Sequence, residues 1–545
     1  MTRVILVNQI YYLLNSMKIV NTRKSMLNKK ITQTKLIIVT SIFLVIFDNY
    51  IFFKNTIKIY PLNVENIGFL ISLVLVLTAL IIFIFTLVSS KYTTKGILIF
   101  TLLVSSLTNY FMNSYGIFID VEMIRNIIQT DLNESLDLIT LKQVLYLLFL
   151  GIIPSIFVFN AKIEYRNMRV EVISKAKTIA LSLVIISASI FLFSKSYTSF
   201  AREHKHLRFS TNPTFWIYST VEYLVNTINP KSNKIKPLGL DASIKDGRKR
   251  KIVIMIVGEA VRADHLALNG YKRDTTPLLK KENIINFSNF YSCGTSTAVS
   301  VPCMFSYLTK DEYTYKKGLS QENVLDVLKH TNRVSILWRE NNSNSKGVAL
   351  RVENVYYKNY VNNKVCDSVE CRDEGMLIGL DEYIKSHSDK DILIVLHQMG
   401  NHGPAYYKRY PKEFEKFTPT CKTNQLEQCS KQEISNAYDN AIVYTDYFLS
   451  KTINLLKKYK NASTAMVYIS DHGESLGENG VYLHGLPYFI APQAQINVAS
   501  LMWFNTNTKY INNTKRYSQD NLFHTLLGLF DVKTEVYKRS MDILP

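Results

Sequence analysis

A run of small hydroxyl residues, SCGTSTAVSVPCMFS at 292–306, lies between two of the chain's six cysteines. Thr295, Ser296, Thr297 and Ser300 each offer a hydroxyl there, and so light a segment is either a plain surface loop or a rigid mount for a nucleophile. A hydroxyl attacks at neutral pH only where a base or a metal stabilises its alkoxide. Residues able to do that lie elsewhere in the chain: Glu259 follows the apolar run IVIMIVG, Asp471 and His472 follow AMVYIS, and His402 and His484 follow turns marked by glycine. Singly, an Asp or His after a strand is more often a cap. Together, two carboxylates and imidazole at strand ends form a Zn²⁺-type ligand set with a coordination position left open. One hydroxyl of the 292–306 segment would fill it, with helix N-terminal amides helping to hold an anionic substrate. Spacing leaves the choice among the four hydroxyls open.

The elements that must position these residues follow from patterning. Four apolar, β-branched runs end abruptly in polar or glycine-bearing clusters: KIVIMIVGEAVRADH (251–265), RVSILWRENNSNSKG (333–347), DILIVLHQMGNHGP (391–404) and TAMVYISDHGES (464–475). Continuous rather than alternating apolar strands imply a sheet buried on both faces. Helical stretches such as ISNAYDNAIVYTDYFLSKTINLLKKY (434–459) supply the covering layers. This is a doubly wound α/β pattern, in which ligands bind beyond the carboxyl ends of the strands, where every cluster lies.

The first part of the chain is of another kind. Apolar runs at 36–53, 67–88, 96–111, 144–159 and 177–193 approach the roughly 20 residues a helix needs to cross a hydrocarbon core. The third and fourth are short enough to be re-entrant, but five runs in series read as five transmembrane helices. Lys and Arg collect before the first run, between the second and third, and between the fourth and fifth, which places those segments in the cytoplasm. The loops at 54–66 and 112–143, and with an odd number of spans the C-terminal domain, then face outward. Met17 and Met26 are alternative starts, and the apolar stretch VILVNQIYYLL is too short to span. The net charge of +20 is partly this topogenic Lys and Arg. A surface facing anionic lipid accounts for the rest, so no nucleic-acid partner is read from it.

All six cysteines lie in the second part as close pairs, Cys293 with Cys303, Cys366 with Cys371, and Cys421 with Cys429. Six cysteines allow 15 connectivities, and an oxidising compartment favours the three local loops. The resulting division is a segment at 1–35 on the cytoplasmic side, a five-helix membrane domain at 36–195, an interfacial linker at 196–240 and an exported α/β domain at 241–545.

The segments GEAVRADHLALNGYKRDTTP, SCGTSTAVSVPCMFSYL, WRENNSNSKG, LHQMGNHGPAYYKRYP and SDHGESLGENGVYLHG, in this order behind five spans, resemble the lipid A phosphoethanolamine transferases, the family of the transferable colistin-resistance enzymes. The resemblance implies an alkaline-phosphatase-like, sulfatase-type fold for the soluble domain. It implies Thr297 as nucleophile, with zinc held by Glu259, Thr297, Asp471 and His472. His402 and His484 match positions that bind phosphoethanolamine or a second zinc, and Asn342 and Lys346 match polar residues near the substrate phosphate. MIRNIIQTDLNES resembles a periplasmic helix after the third span, making Asn126, Thr130 and Glu134 lipid-substrate contacts. Their i, i+4, i+8 spacing would put them on one helix face, which could equally be a solvated one. The family further implies phosphatidylethanolamine as donor, lipid A as acceptor, contact with membrane lipids, a monomer, and a multi-pass protein of the bacterial inner membrane with its catalytic domain in the periplasm. Alternatives are the same transfer to core heptose, a periplasmic glucan or a protein, a metal-dependent phosphodiesterase or sulfatase, and a non-catalytic membrane sensor.

Overall fold

The computed structural model describes residues 30–130, 135–136, 138–228, 235–367, 370–506 and 511–544. It divides into two compact units, one built from the chain up to Ser114 with Leu141–Tyr218, the other from Tyr115–Thr140 with the chain from Ser219 onward. The loop between the third and fourth spans, expected to face outward, falls in the second unit, and the 196–240 segment is divided between the two. Most of the expected 1–35 segment lies outside the described residues.

In the first unit, among the described residues, four helices are long and apolar enough to cross a membrane: Val64–Val88, Thr94–Tyr115, Leu141–Asn160 and Met168–Leu192. The third and fourth expected spans thus extend a few residues past their apolar runs at each end, because flanking residues such as Thr94, Asn113 and Leu141 stay helical. The first expected span is broken. Gln33–Asp48 and Tyr50–Ile59 meet at a 61° bend, and the intervening Asn49 donates from its side-chain amide to Leu44 O (3.0 Å) and Asn212 O (2.6 Å) while Asn212 N donates to Asn49 Oδ1 (2.8 Å). These bonds satisfy the polar groups a helix break exposes. Phe100, Phe149, Phe157 and Phe191 remain more than half exposed on the spans, as side chains facing lipid do. Trp216, expected in an interfacial linker, is buried instead. It packs edge-on against Phe100 at 6.1 Å, with its indole N–H 3.3 Å from Ser105 Oγ.

The second unit is built, among the described residues, on a seven-stranded sheet. Its strands are β1 (Lys251–Gly258), β2 (Ile285–Asn286), β3 (Val334–Glu340), β4 (Glu353–Tyr356), β5 (Asp391–His397), β6 (Ser463–Ser470) and β7 (Ser500–Phe504), in the order β2-β7-β6-β1-β5-β3-β4. Neighbours from β6 to β4 are parallel, whereas β7 runs antiparallel to both β6 and β2. Every residue of β5, and every residue but the first of β1 and β6, is buried, as continuous apolar strands require. One face carries Val253, Met255, Val257, Val395 and Val467 into a core with Phe287, Phe290, Phe305, Trp338 and Phe523. The helix Lys431–Leu456 packs on the sheet through β6. It starts from a capping box in which Ser430 and Glu433 bond each other's backbone. Cys293–Cys303, Cys366–Cys371 and Cys421–Cys429 are all bridged.

Candidate active site

The central strand β1 delivers Glu259 and its neighbour β6 delivers Asp471 and His472, so the chain crosses from one half of the sheet to the other at the point where these side chains emerge. All three are fully buried, and one ligand atom of each lies within 4.8 Å of the others. His472 Nε2 is 3.3 Å from Glu259 Oε1 and 3.3 Å from Asp471 Oδ2.

The hydroxyl segment reaches this cluster through one residue. Thr297 is the first residue of the helix Thr297–Met304, and its Oγ1 lies 3.2 Å from Glu259 Oε2 and 3.3 Å from His472 Nε2. Two of the three competing hydroxyls are engaged elsewhere: Thr295 Oγ1 donates to Leu486 O (2.7 Å) and Ser300 Oγ accepts from Gly294 N (3.1 Å). Ser296 precedes the helix with no side-chain cap bond. The segment itself is pinned by the Cys293–Cys303 bridge and by Cys293 N donating to Gln519 Oε1 (2.6 Å).

This donor set fits zinc. Two carboxylates, an imidazole nitrogen and a hydroxyl converge, and Asp471 Oδ2 is buried with no hydrogen-bond partner among the described residues, a state that coordination relieves. His472 Nδ1 lies 2.9 Å from Gly473 O, which sets the tautomer that leaves Nε2 with a free lone pair. Burial lowers the His472 pKa to about 4, so the ring stays neutral as a ligand must. Asp471 Oδ1 accepts from Ala260 N (3.1 Å) and His472 N (2.7 Å), fixing its orientation.

His402 and His484 are brought to the same place. The His484 ring lies tilted against His472 with ring centroids 4.0 Å apart, and His402 follows at 5.9 Å from His484. A residue the sequence reading missed joins them: Glu474, fully buried, lies 3.3 Å from His484 Nδ1, and burial raises its carboxyl to about 8. The signal was the carboxylate two residues after His472 in SDHGES.

Asn342, expected near a substrate phosphate, donates its amide to Glu259 Oε2 (2.8 Å) and Gln398 O (2.9 Å), and so orients that carboxylate. Lys346 lies farther along the same loop, its Nζ donating to Ser343 Oγ (2.7 Å). Asp373, also missed, accepts from Met399 N (2.8 Å) and Gly400 N (3.1 Å). Gly400 has φ +49°, and a Cβ there would sit 3.0 Å from both Glu259 Cβ and Glu259 O, so only glycine lets this loop close against the strand end.

Asn126 lies on the helix Val121–Gln129, which Asp120 caps through Met123 N (2.8 Å). That helix packs on Thr297–Met304, and Arg125 stacks over Tyr315 at 3.9 Å. It ends at Gln129. Thr130 is extended and its hydroxyl turns back to Asn126 O (2.7 Å), so the expected continuous i, i+4, i+8 face is not formed. Glu134 lies outside the described residues.

The fold and the site together define a member of the alkaline phosphatase superfamily, and residues 251–532 match the sulfatase family model. Residues 77–228 match the model described as phosphoethanolamine transferase EptA/EptB. Across 90% of the chain and 94% of its relative, the sequence is 44% identical to the phosphatidylethanolamine transferase Mcr-2 of Escherichia coli. It is 39% identical to the phosphoethanolamine transferase EptA of Escherichia coli K12, over 91% and 93% of the two chains. The solved integral membrane lipooligosaccharide phosphoethanolamine transferase A of Neisseria meningitidis superposes with a TM-score of 0.90 at 34% identity, over 95% of this chain and 99% of that one. The chain belongs to the phosphoethanolamine transferase family.

Proposed function

We propose that the chain moves phosphoethanolamine from phosphatidylethanolamine to a phosphate of lipid A, at the periplasmic face of the bacterial inner membrane, by a two-step displacement at Thr297. The observation that carries the reading is the Thr297 hydroxyl, 3.2 Å from Glu259 and 3.3 Å from His472 at the start of a buried helix. The names borne by the relatives supply the donor and the class of acceptor. Glu259, Thr297, Asp471 and His472 would hold zinc, which would supply a Lewis acid for the threonine hydroxyl and the phosphoryl oxygens.

Thr297 Oγ forms a bond to the donor phosphorus as the bond from phosphorus to the diacylglycerol oxygen breaks, leaving phosphoethanolamine on the threonine. The proton lost by Thr297 equals the one diacylglycerol gains, and its carriers are His484, beside His472, and His402, beside His484. An oxygen of the lipid A phosphate then attacks the same phosphorus, the bond to Thr297 Oγ breaks, and the proton that the lipid A phosphate hydroxyl loses re-forms the threonine hydroxyl. Asn342 keeps Glu259 in place throughout, while Lys346 neutralises developing charge and Asn126 and Thr130 contact the lipids. Donor and acceptor are both membrane lipids, so anchoring the enzyme among them replaces a search in volume by a local one.

Lipid A extracted from a polymyxin-susceptible host tests this. The native chain should yield phosphoethanolamine-bearing lipid A and raise polymyxin resistance, because the added ammonium offsets a phosphate charge, and Thr297→Ala should do neither. Unmodified lipid A beside a modified core sugar, glucan or protein would overturn the choice of acceptor.

A further inference from the structure

We infer that Tyr438, which is not among the ligands, is a positioning residue that aims Glu259 at the metal. Glu259 is followed by Ala260 at φ +58°, the left-handed region that a residue with a Cβ occupies only when its surroundings hold it there. Three side chains hold this turn. Asp471 Oδ1 accepts from Ala260 N (3.1 Å) and Ser470 Oγ from Val261 N (2.7 Å), both from the adjacent end of β6. Tyr438 comes from the covering helix Lys431–Leu456, and its hydroxyl donates to Ala260 O (2.6 Å) while accepting from Arg262 N (3.0 Å).

One oxygen thus fixes a carbonyl and an amide two residues apart, which is the geometry of the turn itself. Tyr438 is fully buried, its ring set edge-on between His265 (5.2 Å) and Tyr406 (5.4 Å). Removing only the hydroxyl leaves the ring packing intact and strands two buried backbone groups. Ala260 can then relax out of its left-handed conformation, and the Glu259 carboxylate, one residue away, moves with it.

The inference rests on Glu259 being a zinc ligand, so the test separates the two claims. Zinc affinity of the full chain in detergent is measured by chelator competition, together with the melting temperature, for the native protein and for Tyr438→Phe, Tyr406→Phe and Glu259→Gln. Tyr406 is the control, because its buried hydroxyl has no hydrogen-bond partner among the described residues. Tyr438→Phe should weaken zinc binding by about 10–100-fold, the range typical of groups that orient ligands, with only a small change in melting temperature. Tyr406→Phe should bind zinc like the native chain. Ala260→Gly, which takes the left-handed turn without strain, should recover most of the loss when combined with Tyr438→Phe. Native affinity in Tyr438→Phe beside a loss in Glu259→Gln, or an equal loss in Tyr406→Phe, or no recovery with Ala260→Gly, would overturn the positioning role alone. Unchanged affinity in Glu259→Gln would remove the metal reading and this role with it.

Discussion

Among individual residues, the four hydroxyls of the 292–306 segment show what a sequence can and cannot specify. Their chemistry was legible, and so were Glu259, Asp471 and His472, because each directly follows an apolar run. The choice of Thr297 over Thr295 and Ser300 depended on which hydroxyl the backbone occupies, and spacing carries no such information. Glu474 and Asp373 escaped notice for a similar reason: their partners, His484 and the 399–400 amides, are distant in sequence or belong to the backbone. Single-residue chemistry outside the site is also testable. Burial raises Asp446 from 3.8 to about 6, although its oxygens accept from Leu278 N and Leu279 N. Between those values the folded chain keeps a proton that the unfolded chain has lost, so stability falls as pH rises through that window, by about 3 kcal/mol in full. Denaturant titrations at pH 4 and pH 7 should show the native chain losing most of this increment relative to Asp446→Asn; equal losses would contradict it.

At the scale of elements, the four main strands fall where continuous apolar runs placed them, and the three local disulfides follow their close sequence spacing. The short strands β2, β4 and β7 could not be read, since two to five residues at a sheet margin leave no period to detect. The first span comes as a bent pair of helices, which can count as the fifth span, and its bend was not legible: Asn49 looks like one polar residue in an apolar run, and only its bonds with Leu44 and Asn212 make it a break. Two elements carry predictions. The Cys293–Cys303 bridge closes a loop over a separation of 10 residues, so replacing both cysteines by alanine should cost about 3 kcal/mol, read as a lower denaturant midpoint. It should also slow phosphoryl transfer by loosening the mount of Thr297. Gly400→Ala should drive the 398–401 loop away from Glu259 and lower zinc content on purification while the domain still folds; full zinc content would count against the close approach described here.

The whole molecule joins a set of apolar helices to a domain bearing all six cysteines, and charge placement is the expected guide to the orientation of both. The connections at 89–93 and 161–167 should be shielded from protease added to spheroplasts, whereas the domain beyond 240 should be digested. Digestion of the two basic loops instead would invert the topology. Which segments cluster together was the least legible feature. The 115–140 stretch follows the third span in sequence yet belongs with the catalytic unit, through contacts such as Arg125 with Tyr315 that join residues far apart in the chain. The central claim is a phosphoethanolamine group carried on Thr297, and the most direct test is peptide mass mapping of the purified, zinc-loaded full chain after incubation with phosphatidylethanolamine and no acceptor. The account predicts phosphoethanolamine on the peptide containing Thr297, stoichiometric diacylglycerol, and neither with Thr297→Ala. Diacylglycerol released continuously with free phosphoethanolamine and an unmodified Thr297 would contradict it and identify a hydrolase.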